Sequence, residues 1–410
     1  MADDDSPSPS SGPRPSIRSP LSGAARTDVV VIGAGVVGAA CAYYCTAAGL
    51  RVAVVERGAV GGGTTSACEG NILVSDKEPG PELDLALLSA RLWRDIAEDL
   101  GAAELEYDAK GGVVVAASAE GAAGLRRLTE GQRRNGVDAV DVGPDELAEL
   151  EPNLSRDVAG GAYYPQDAQV QPMLAAALLL RRARERGAAV HTGAGVTGVV
   201  RDRAGTVTGV RTDSPAVPAL HAPWVVNAAG TWAGEVAGLA RAPVPVLPRK
   251  GFILVTEPLP RTVRHKVYSA DYVANVASDH AALETSTVVE GTGSGTVLIG
   301  ASRERVGFDR GTSLPVLRTL AAQAIALFPF LAEVALLRSY LGFRPYCPDH
   351  LPVIGPDPRA PGLLHACGHE GAGIGLAAAT GRLIADHVSG RAPDLDPAPF
   401  RPHRFEEAAP

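Results

Sequence analysis

The sequence predicts an α/β protein whose ordered part begins with a strand, a helix and a second strand. Val29–Ile32 is a short, unbroken β-branched run, which is typical of a strand buried on both faces. Residues 36–48 have the length and composition of a helix, and Gly49 can end it. Residues 51–55 predict a second buried strand, which ends at Glu56. This order of elements is typical of a parallel sheet with helices packed on it.

A glycine pattern fills the turn between the first strand and the helix. Gly33, Gly35 and Gly38 permit, in that order, a tight turn, close approach of the backbone to a pyrophosphate, and close packing of the helix on the strand. The helix directs its free N-terminal amides at the phosphates. Glu56, 18 residues after Gly38, can accept hydrogen bonds from ribose hydroxyls and would repel the 2′-phosphate of NADP. The segment therefore predicts a site for FAD or NAD.

Two later segments favour FAD over NAD. Residues 61–66 are three glycines followed by three hydroxyl residues, which offer amides and hydroxyls to a phosphate, where a nicotinamide domain would normally continue with another strand and helix. Near the C-terminus, residues 368–375 form a glycine-rich turn that opens a helix to about residue 388. The positive end of that helix can stabilise the negative charge of a reduced flavin.

The chain resembles the D-amino-acid oxidase-like family of FAD-dependent amine oxidoreductases. The resemblance covers nearly all of residues 27–400 and rests, in order, on VVVIGAGVVGAA, VVER, GGGTTSACEGNI, VVNAAGTWA, PRKGFILVTE, GFRPYCPDHLPVIGPD and GHEGAGIGLAAATGRLIADHVSG. Within the family, the chain is most similar in look to the β subunits of opine oxidase and of hydroxyproline or proline dehydrogenase, and to the hydrogen cyanide synthase subunit. That similarity rests on residues 69–83 and on the His-Glu-Gly-Ala-Gly form of the last glycine turn.

The resemblance implies two domains that alternate along the chain. A split, Rossmann-like FAD-binding domain would take residues 27–82, 160–236 and 345–400. An inserted α+β substrate domain, built on a mainly antiparallel sheet, would take residues 83–159 and 237–344. Residues 1–26 are rich in serine and proline and predict a disordered tail, because they cannot bury enough apolar surface to order themselves. Residues 401–410 are interpreted as a C-terminal tail.

The residues expected to bind the cofactor follow from the glycine turns and from the resemblance. They are Gly33, Gly35, Gly38, Glu56, Arg57, Thr64, Thr65, Ser66, Asn71, Ile72, Val196, Ala229, Gly230, Trp232, Gly371, Gly373 and Ile374. We expect noncovalent FAD.

Three residues are candidates for contact with the substrate. Arg344, in the segment GFRP, is expected to hold a substrate carboxylate, as arginines at this motif do in the family; the alternative is a structural arginine paired with an acid at the domain junction. His369 lies in the last glycine turn, where it has a chemical role or where only the backbone matters. Tyr272 is a lid over the substrate or an ordinary core tyrosine.

Composition excludes several other kinds of partner. The formal net charge is −8 and there is no basic patch with interleaved aromatics, so nucleic acid is not expected. No run approaches the roughly 20 apolar residues of a membrane helix. The 5 cysteines are scattered and lack the spacing of a metal or iron–sulfur site, which indicates a reducing, cytoplasmic setting. No metal site is expected.

The resemblance implies an oxidoreductase that transfers a hydride from the α-carbon of a small amino or imino acid to flavin N5 and leaves an imine. We expect it to act as a dehydrogenase subunit, in a hetero-oligomer whose partners carry further flavin and iron–sulfur centres. Two alternatives stay open at this point. One is a self-sufficient oxidase that uses oxygen, and the other is a passive flavin-carrying subunit of an electron-transfer complex.

Overall fold

The structure is a computed structural model that describes residues 27–270 and 280–405. The predicted tail over residues 1–26 and the candidate Tyr272 lie outside the described residues. The helices are α1 Val36–Ala47, α2 Pro81–Leu100, α3 Ala119–Arg134, α4 Pro144–Leu150, α5 Pro172–Glu185, α6 Ala233–Leu239, α7 Leu314–Leu327 and α8 Gly373–Ser389. No helix in the described part of the chain has the length and apolar composition needed to cross a membrane.

The strands are numbered in chain order over the same described ranges. They are β1 Val29–Ile32, β2 Val52–Glu56, β3 Asn71–Ile72, β4 Gly112–Ala116, β5 Val140–Val142, β6 Gly160–Tyr164, β7 Ala168–Gln169, β8 Ala189–Thr192, β9 Val196–Arg201, β10 Val207–Thr212, β11 Ala219–His221, β12 Trp224–Asn227, β13 Leu247–Thr256, β14 Lys266–Ser269, β15 Glu284–Gly291, β16 Val297–Arg303, β17 Leu336–Tyr346, β18 Val353–Pro356 and β19 Leu363–Cys367.

A largely parallel sheet joins distant parts of the chain. Among the described residues it has six strands in the order β18-β19-β12-β1-β2-β8. β1 is parallel to β2 and β12, β12 to β19, and β2 to β8, whereas the edge strand β18 is antiparallel. Helices α1, α2, α5 and α8 share the core on one face, and the small sheet β9–β11 packs with α6 on the other. The α/β prediction with a Rossmann-like domain is confirmed.

A mixed sheet forms the second layer. Its described strands run in the order β17-β13-β16-β15-β14-β4-β6-β5, and every pair is antiparallel except β14 with β4. The apolar residues on one face pack against α7. The opposite face, at the end formed by β17 and β13, borders a large cavity. A mainly antiparallel substrate sheet was predicted and is confirmed.

Two predicted boundaries differ from the observed packing. Strand β6, assigned to the FAD-binding domain by the boundary at residue 160, pairs with β4 and β5 in the mixed sheet, because Gly160–Tyr164 continues the antiparallel ladder. Residues 401–405, which were assigned to the C-terminal tail, are packed on the domain. Pro402 is buried, and Arg404 pairs with Asp349 at 2.5 Å, which holds this short segment on the domain. The rest of the proposed domain division stays a prediction.

A buried carboxylate joins the two layers. Asp167 precedes β7 and accepts hydrogen bonds from the backbone amides of Val74 (2.8 Å) and Ser75 (3.3 Å) and from the Ser75 hydroxyl. Tyr268, on the mixed sheet, donates to the same hydroxyl at 2.6 Å. Burial is the main cause that raises the pKa of Asp167 to about 7.

This shift predicts a pH dependence of stability. The pKa of Asp167 in the unfolded chain is about 3.9, so between about pH 4 and pH 7 the folded protein binds more protons than the unfolded chain. The contribution of Asp167 therefore becomes less favourable as pH rises through this window. We expect Asp167→Asn to gain about 2 kcal/mol relative to the wild type between pH 5 and pH 8 in the free energy of unfolding, measured by urea titration. The exposed Asp138→Asn variant should show no such trend.

Candidate active site

A cavity of about 660 Å³ lies at the carboxyl edge of the parallel strands and extends to the mixed sheet. Such an edge is where open α/β sheets bind their ligands. The predicted cofactor-binding residues that line it are Gly33, Gly35, Glu56, Arg57, Thr64, Thr65, Asn71, Val196, Ala229, Gly230, Trp232, Gly371, Gly373 and Ile374. Arg344 and His369 line it too. The structure thus brings together residues that lie up to 341 positions apart in the sequence, from Gly33 to Ile374.

Three predicted cofactor residues do not line the cavity. Gly38 lies behind the glycine turn, where an added Cβ would be 2.0 Å from the Gly33 carbonyl oxygen. Ser66 is exposed, and its hydroxyl donates to the Gly63 carbonyl at 3.0 Å. Ile72 is buried in β3. Gly38 and Ile72 therefore shape the cavity from outside, and Ser66 caps its own turn.

The first glycine turn is shaped as a phosphate cradle. Gly33 has φ +105°, and an added Cβ would lie 2.5 Å from the Ala228 carbonyl oxygen, so only glycine fits there. A Cβ on Gly35 would meet one described atom within 4 Å, Thr65 Oγ1 at 3.2 Å, and would otherwise enter the cavity. Thr65 Oγ1 also accepts the Val36 amide at 3.1 Å, at the N-terminus of α1. Backbone, hydroxyl and helix end thus converge on one point.

Glu56 is held in place for a ribose. Its Oε2 accepts the Ala34 amide at 2.9 Å, and its Oε1 accepts the Gly58 amide at 2.8 Å. A carboxylate oxygen can accept more than one hydrogen bond, so both oxygens retain capacity for ligand hydroxyls. Next to it, the Arg57 guanidinium stacks on Trp232 at 3.8 Å from the ring centroid. The part of the cavity near Glu56 is therefore polar and is bordered by the Trp232 ring.

The N-terminus of α8 forms the opposite wall. Glu370 adopts φ +47° there and accepts hydrogen bonds from Arg249 (2.6 Å) and His350 (3.0 Å). Burial would raise the pKa of Glu370, but the hydrogen bond from His350 and the charge of Arg249 outweigh it and lower the pKa. Arg249 also pairs with Glu284 at 3.2 Å. Sequence reasoning missed this cluster, because its members are brought together from four separate segments.

Arg344 lies on β17 with its guanidinium over the mixed sheet. Its Nη1 donates to the Ser302 carbonyl at 2.8 Å and lies 2.2 Å from where a Cβ on Gly251 would be. Within residues 27–270 and 280–405 it has no carboxylate partner, whereas the neighbouring buried Arg249 has two. Arg344 also lines an adjoining cavity of about 240 Å³. The alternative of an ion-paired structural arginine thus describes Arg249 and not Arg344.

His369 is buried, and its tautomer follows from its partner. The Thr380 hydroxyl donates its single hydrogen to the Leu376 carbonyl at 2.9 Å. The contact of His369 Nε2 with the same hydroxyl, also 2.9 Å, therefore requires the proton to be on Nε2. Burial lowers the pKa of His369 to about 3, so the imidazole is neutral and its Nδ1 carries a lone pair. The ring can accept a hydrogen bond but supplies no charge.

Glu69 is a cavity-lining carboxylate that was not anticipated. Glu69 lies in the segment GGGTTSACEGNI and reaches the mixed sheet, where its Oε1 is 2.8 Å from the position of a Cβ on Gly300. The only signal in the sequence was an acidic residue directly before Gly70 in a cofactor-binding segment.

The fold and the cavity define a class of protein. A glycine turn, a carboxylate and a helix end surround a dinucleotide-sized cavity, which a second sheet closes, as in two-domain dinucleotide-dependent oxidoreductases. Residues 28–387 match the family described as FAD dependent oxidoreductase (DAO), and the chain belongs to this family. FAD is therefore its cofactor, and the residues that line the cradle fit it. The predicted family, enzyme class and cofactor are confirmed.

Relatives cover almost the whole chain. Hydrogen cyanide synthase subunit HcnC of Pseudomonas aeruginosa is 30% identical, over 92% of this chain and 96% of that protein. Glycine oxidase of Geobacillus kaustophilus is 31% identical, over 92% of this chain and 96% of its own, and its crystal structure aligns with a TM-score of 0.81. The crystal structure of L-proline dehydrogenase from P. horikoshii has a TM-score of 0.84 at 24% identity, covering 93% of this chain and 98% of that chain, and shows the shared fold.

Proposed function

We propose that this protein oxidises the α-carbon of a small amino or imino acid with FAD. The observation that carries the proposal is Arg344, a guanidinium on the wall of the FAD cavity that has no carboxylate partner among the described residues. A guanidinium offers two parallel N–H groups, which match the geometry of a carboxylate. The relatives named as glycine oxidase and proline dehydrogenase act on small amino and imino acids, which supports the same substrate class.

The chain's own residues supply binding and orientation. When bound in this cavity, FAD would supply a two-electron acceptor for oxidation of the substrate α-carbon. Loss of a hydride from that carbon and of one N–H proton to solvent converts the amine to an imine. Arg344 would fix the carboxylate, so that the α-carbon presents its hydrogen to the cofactor. The first turn of α8 directs backbone amides at the same cavity and would stabilise negative charge there. Neutral His369 would leave that local field unchanged.

The proposed function has two forms, which differ in the acceptor that takes the electrons from the protein. The dehydrogenase-subunit form is supported by the likeness to HcnC, which is named as a subunit of a synthase. The self-sufficient oxidase form is supported by the likeness to glycine oxidase. A passive flavin carrier would have no use for Arg344 facing the cofactor cavity, so we favour an active subunit.

The test is an anaerobic absorbance titration of the FAD-loaded protein. The panel contains D- and L-amino acids, proline derivatives, sarcosine and opines. We expect the flavin band near ~450 nm to bleach with one class of amino or imino acid. Readmitting oxygen then separates the two forms, since only an oxidase recovers the band rapidly. A band that no compound bleaches, together with no reduction of an added artificial electron acceptor by any compound, contradicts the proposed function.

A further inference from the structure

Three glycines form a hollow in the mixed sheet below the cavity. Gly251 on β13 is paired with Gly342 on β17, and Ile253, two residues along β13 and on the same face, contacts Gly300 on β16. These three glycines are here named the glycine floor. The space that their side chains would fill is taken by groups above the sheet. Arg344 Nη1 lies 2.2 Å from the Cβ position of Gly251, and Glu69 Oε1 lies 2.8 Å from that of Gly300.

The glycine floor therefore places one cation and one anion side by side. The Cβ position of Gly251 lies 2.4 Å from the Ser302 carbonyl oxygen, so Gly251 on β13 adjoins Ser302 on β16, two residues after Gly300. Arg344 Nη1 and Glu69 Oε1 therefore lie over neighbouring parts of the glycine floor, and both residues line the FAD cavity.

The carboxylate of Glu69 is only half satisfied. Its Oε2 accepts from Asn71 Nδ2 at 3.0 Å and faces Lys266 Nζ at 3.6 Å. Its Oε1 is buried and has no hydrogen-bond partner among the described residues. A buried acceptor without a partner destabilises the fold. A ligand that donated an N–H to this oxygen would remove that destabilisation.

A row of buried acidic and basic side chains lies behind Glu69 and leaves its Oε1 without a hydrogen-bond partner among the described residues. Lys266 lies between Glu69 and Glu290, at 3.6 Å from each, and Glu290 pairs with Lys110 at 3.2 Å. The four side chains are nearly inaccessible to solvent and carry two positive and two negative charges. Only Glu69 among them lines the FAD cavity. The formal charges of these four side chains therefore cancel, and only the Glu69 carboxylate faces the FAD cavity.

We propose that Glu69 is a substrate-binding residue that accepts a hydrogen bond from the substrate amino group, while Arg344 holds the carboxylate of the same molecule. The proposal rests on the proposed function and specifies how the protein would recognise its substrate. The site recognises both charged groups of an amino acid at once. Carboxylic acids of the same shape that lack the nitrogen would contact Arg344 but would have no donor for Glu69. Asn71 acts as a positioning residue, because its amide fixes the second oxygen of Glu69.

The test compares two glutamine variants of the FAD-loaded protein. Glu69→Gln replaces the carboxylate at the cavity. Glu290→Gln replaces the carboxylate on the far side of Lys266, away from the cavity. Each variant is titrated with the amino acid that bleaches the wild type, in stopped-flow reduction, and with its deamino carboxylic acid, by flavin absorbance. We expect Glu69→Gln to weaken binding of the amino acid by about 10- to 100-fold and of the deamino acid by less than about threefold. Glu290→Gln should change both affinities by similar, smaller factors.

Two further results make the outcome decisive. Glu69→Asp keeps the charge one methylene further away and should retain part of the preference for the amino acid, which guards against a glutamine variant that fails to fold. The inference is overturned when Glu69→Gln weakens both ligands equally, or when Glu290→Gln reproduces its effect, since either result indicates a purely structural carboxylate. Failure of the proposed function is visible separately, because then the wild type itself is not reduced by any amino or imino acid.

Discussion

Replacing Gly38 with alanine is expected to abolish FAD binding and to destabilise the fold by about 3 kcal/mol. The new Cβ would lie 2.0 Å from the Gly33 carbonyl oxygen, which is backbone and cannot rotate away. Helix α1 would have to move off β1, and its N-terminal amides would leave the cradle. The measurement is the ratio of flavin to protein absorbance after purification with added FAD, together with the melting temperature.

A matched glycine provides the control. Gly238 lies in helix α6, and an added Cβ there meets no described atom within 4 Å. Gly238→Ala should therefore bind FAD normally and gain up to about 1 kcal/mol, because alanine loses less conformational entropy in a helix. A Gly38→Ala protein that retained stoichiometric FAD and the wild-type melting temperature would contradict the prediction, because it would show that the turn can accommodate a Cβ.

Replacing Arg344 with methionine should lower kcat/KM for the amino acid by about 100- to 1000-fold and leave the FAD content unchanged. Methionine keeps much of the side-chain length but cannot donate to a carboxylate. Losing one partner of a desolvated, charge-assisted pair costs about 3–4 kcal/mol, which corresponds to that loss of rate. Steady-state kinetics with the amino acid found by the bleaching titration provides the measurement.

The control for Arg344 lies on the same strand. Arg338 is exposed at the start of β17, away from the cavity, so Arg338→Met should keep kcat/KM within about twofold. If Arg344→Met loses its FAD, the guanidinium supports the cofactor and not the substrate. An equal loss of rate in both variants would point to a general effect of charge on the strand.

Local steric rules made the cofactor half of the site predictable. Gly33 and Glu56 act through the strand–helix–strand unit in which they lie, so their spacing alone indicated a dinucleotide, and the family match with FAD followed. The substrate half depends on distant contacts. Glu69 becomes a cavity residue only because Gly300, on a strand more than 200 residues later, leaves space for its carboxylate. No local sequence pattern predicts that contact.

The same limit explains the error at β6. Gly160–Tyr164 forms a strand, but its five residues carry no pattern that says which sheet it joins. Strand β4, some 45 residues earlier, pairs with it residue for residue, and this pairing decided its position. Arg249 shows the complementary case, because it is fully buried and pairs with two glutamates from other segments.

The strand order of the parallel sheet has a consequence for synthesis on the ribosome. β1 and β2 emerge early, but the strands that flank the pair, β8 and β12, begin only at Ala189 and Trp224. A nascent chain therefore carries an apolar strand pair with unpaired edges until more than 220 residues have been made. Such edges invite association with other chains. The yield of this enzyme should thus depend on chaperone supply and on translation speed more than that of a protein whose sheets are built from neighbouring segments.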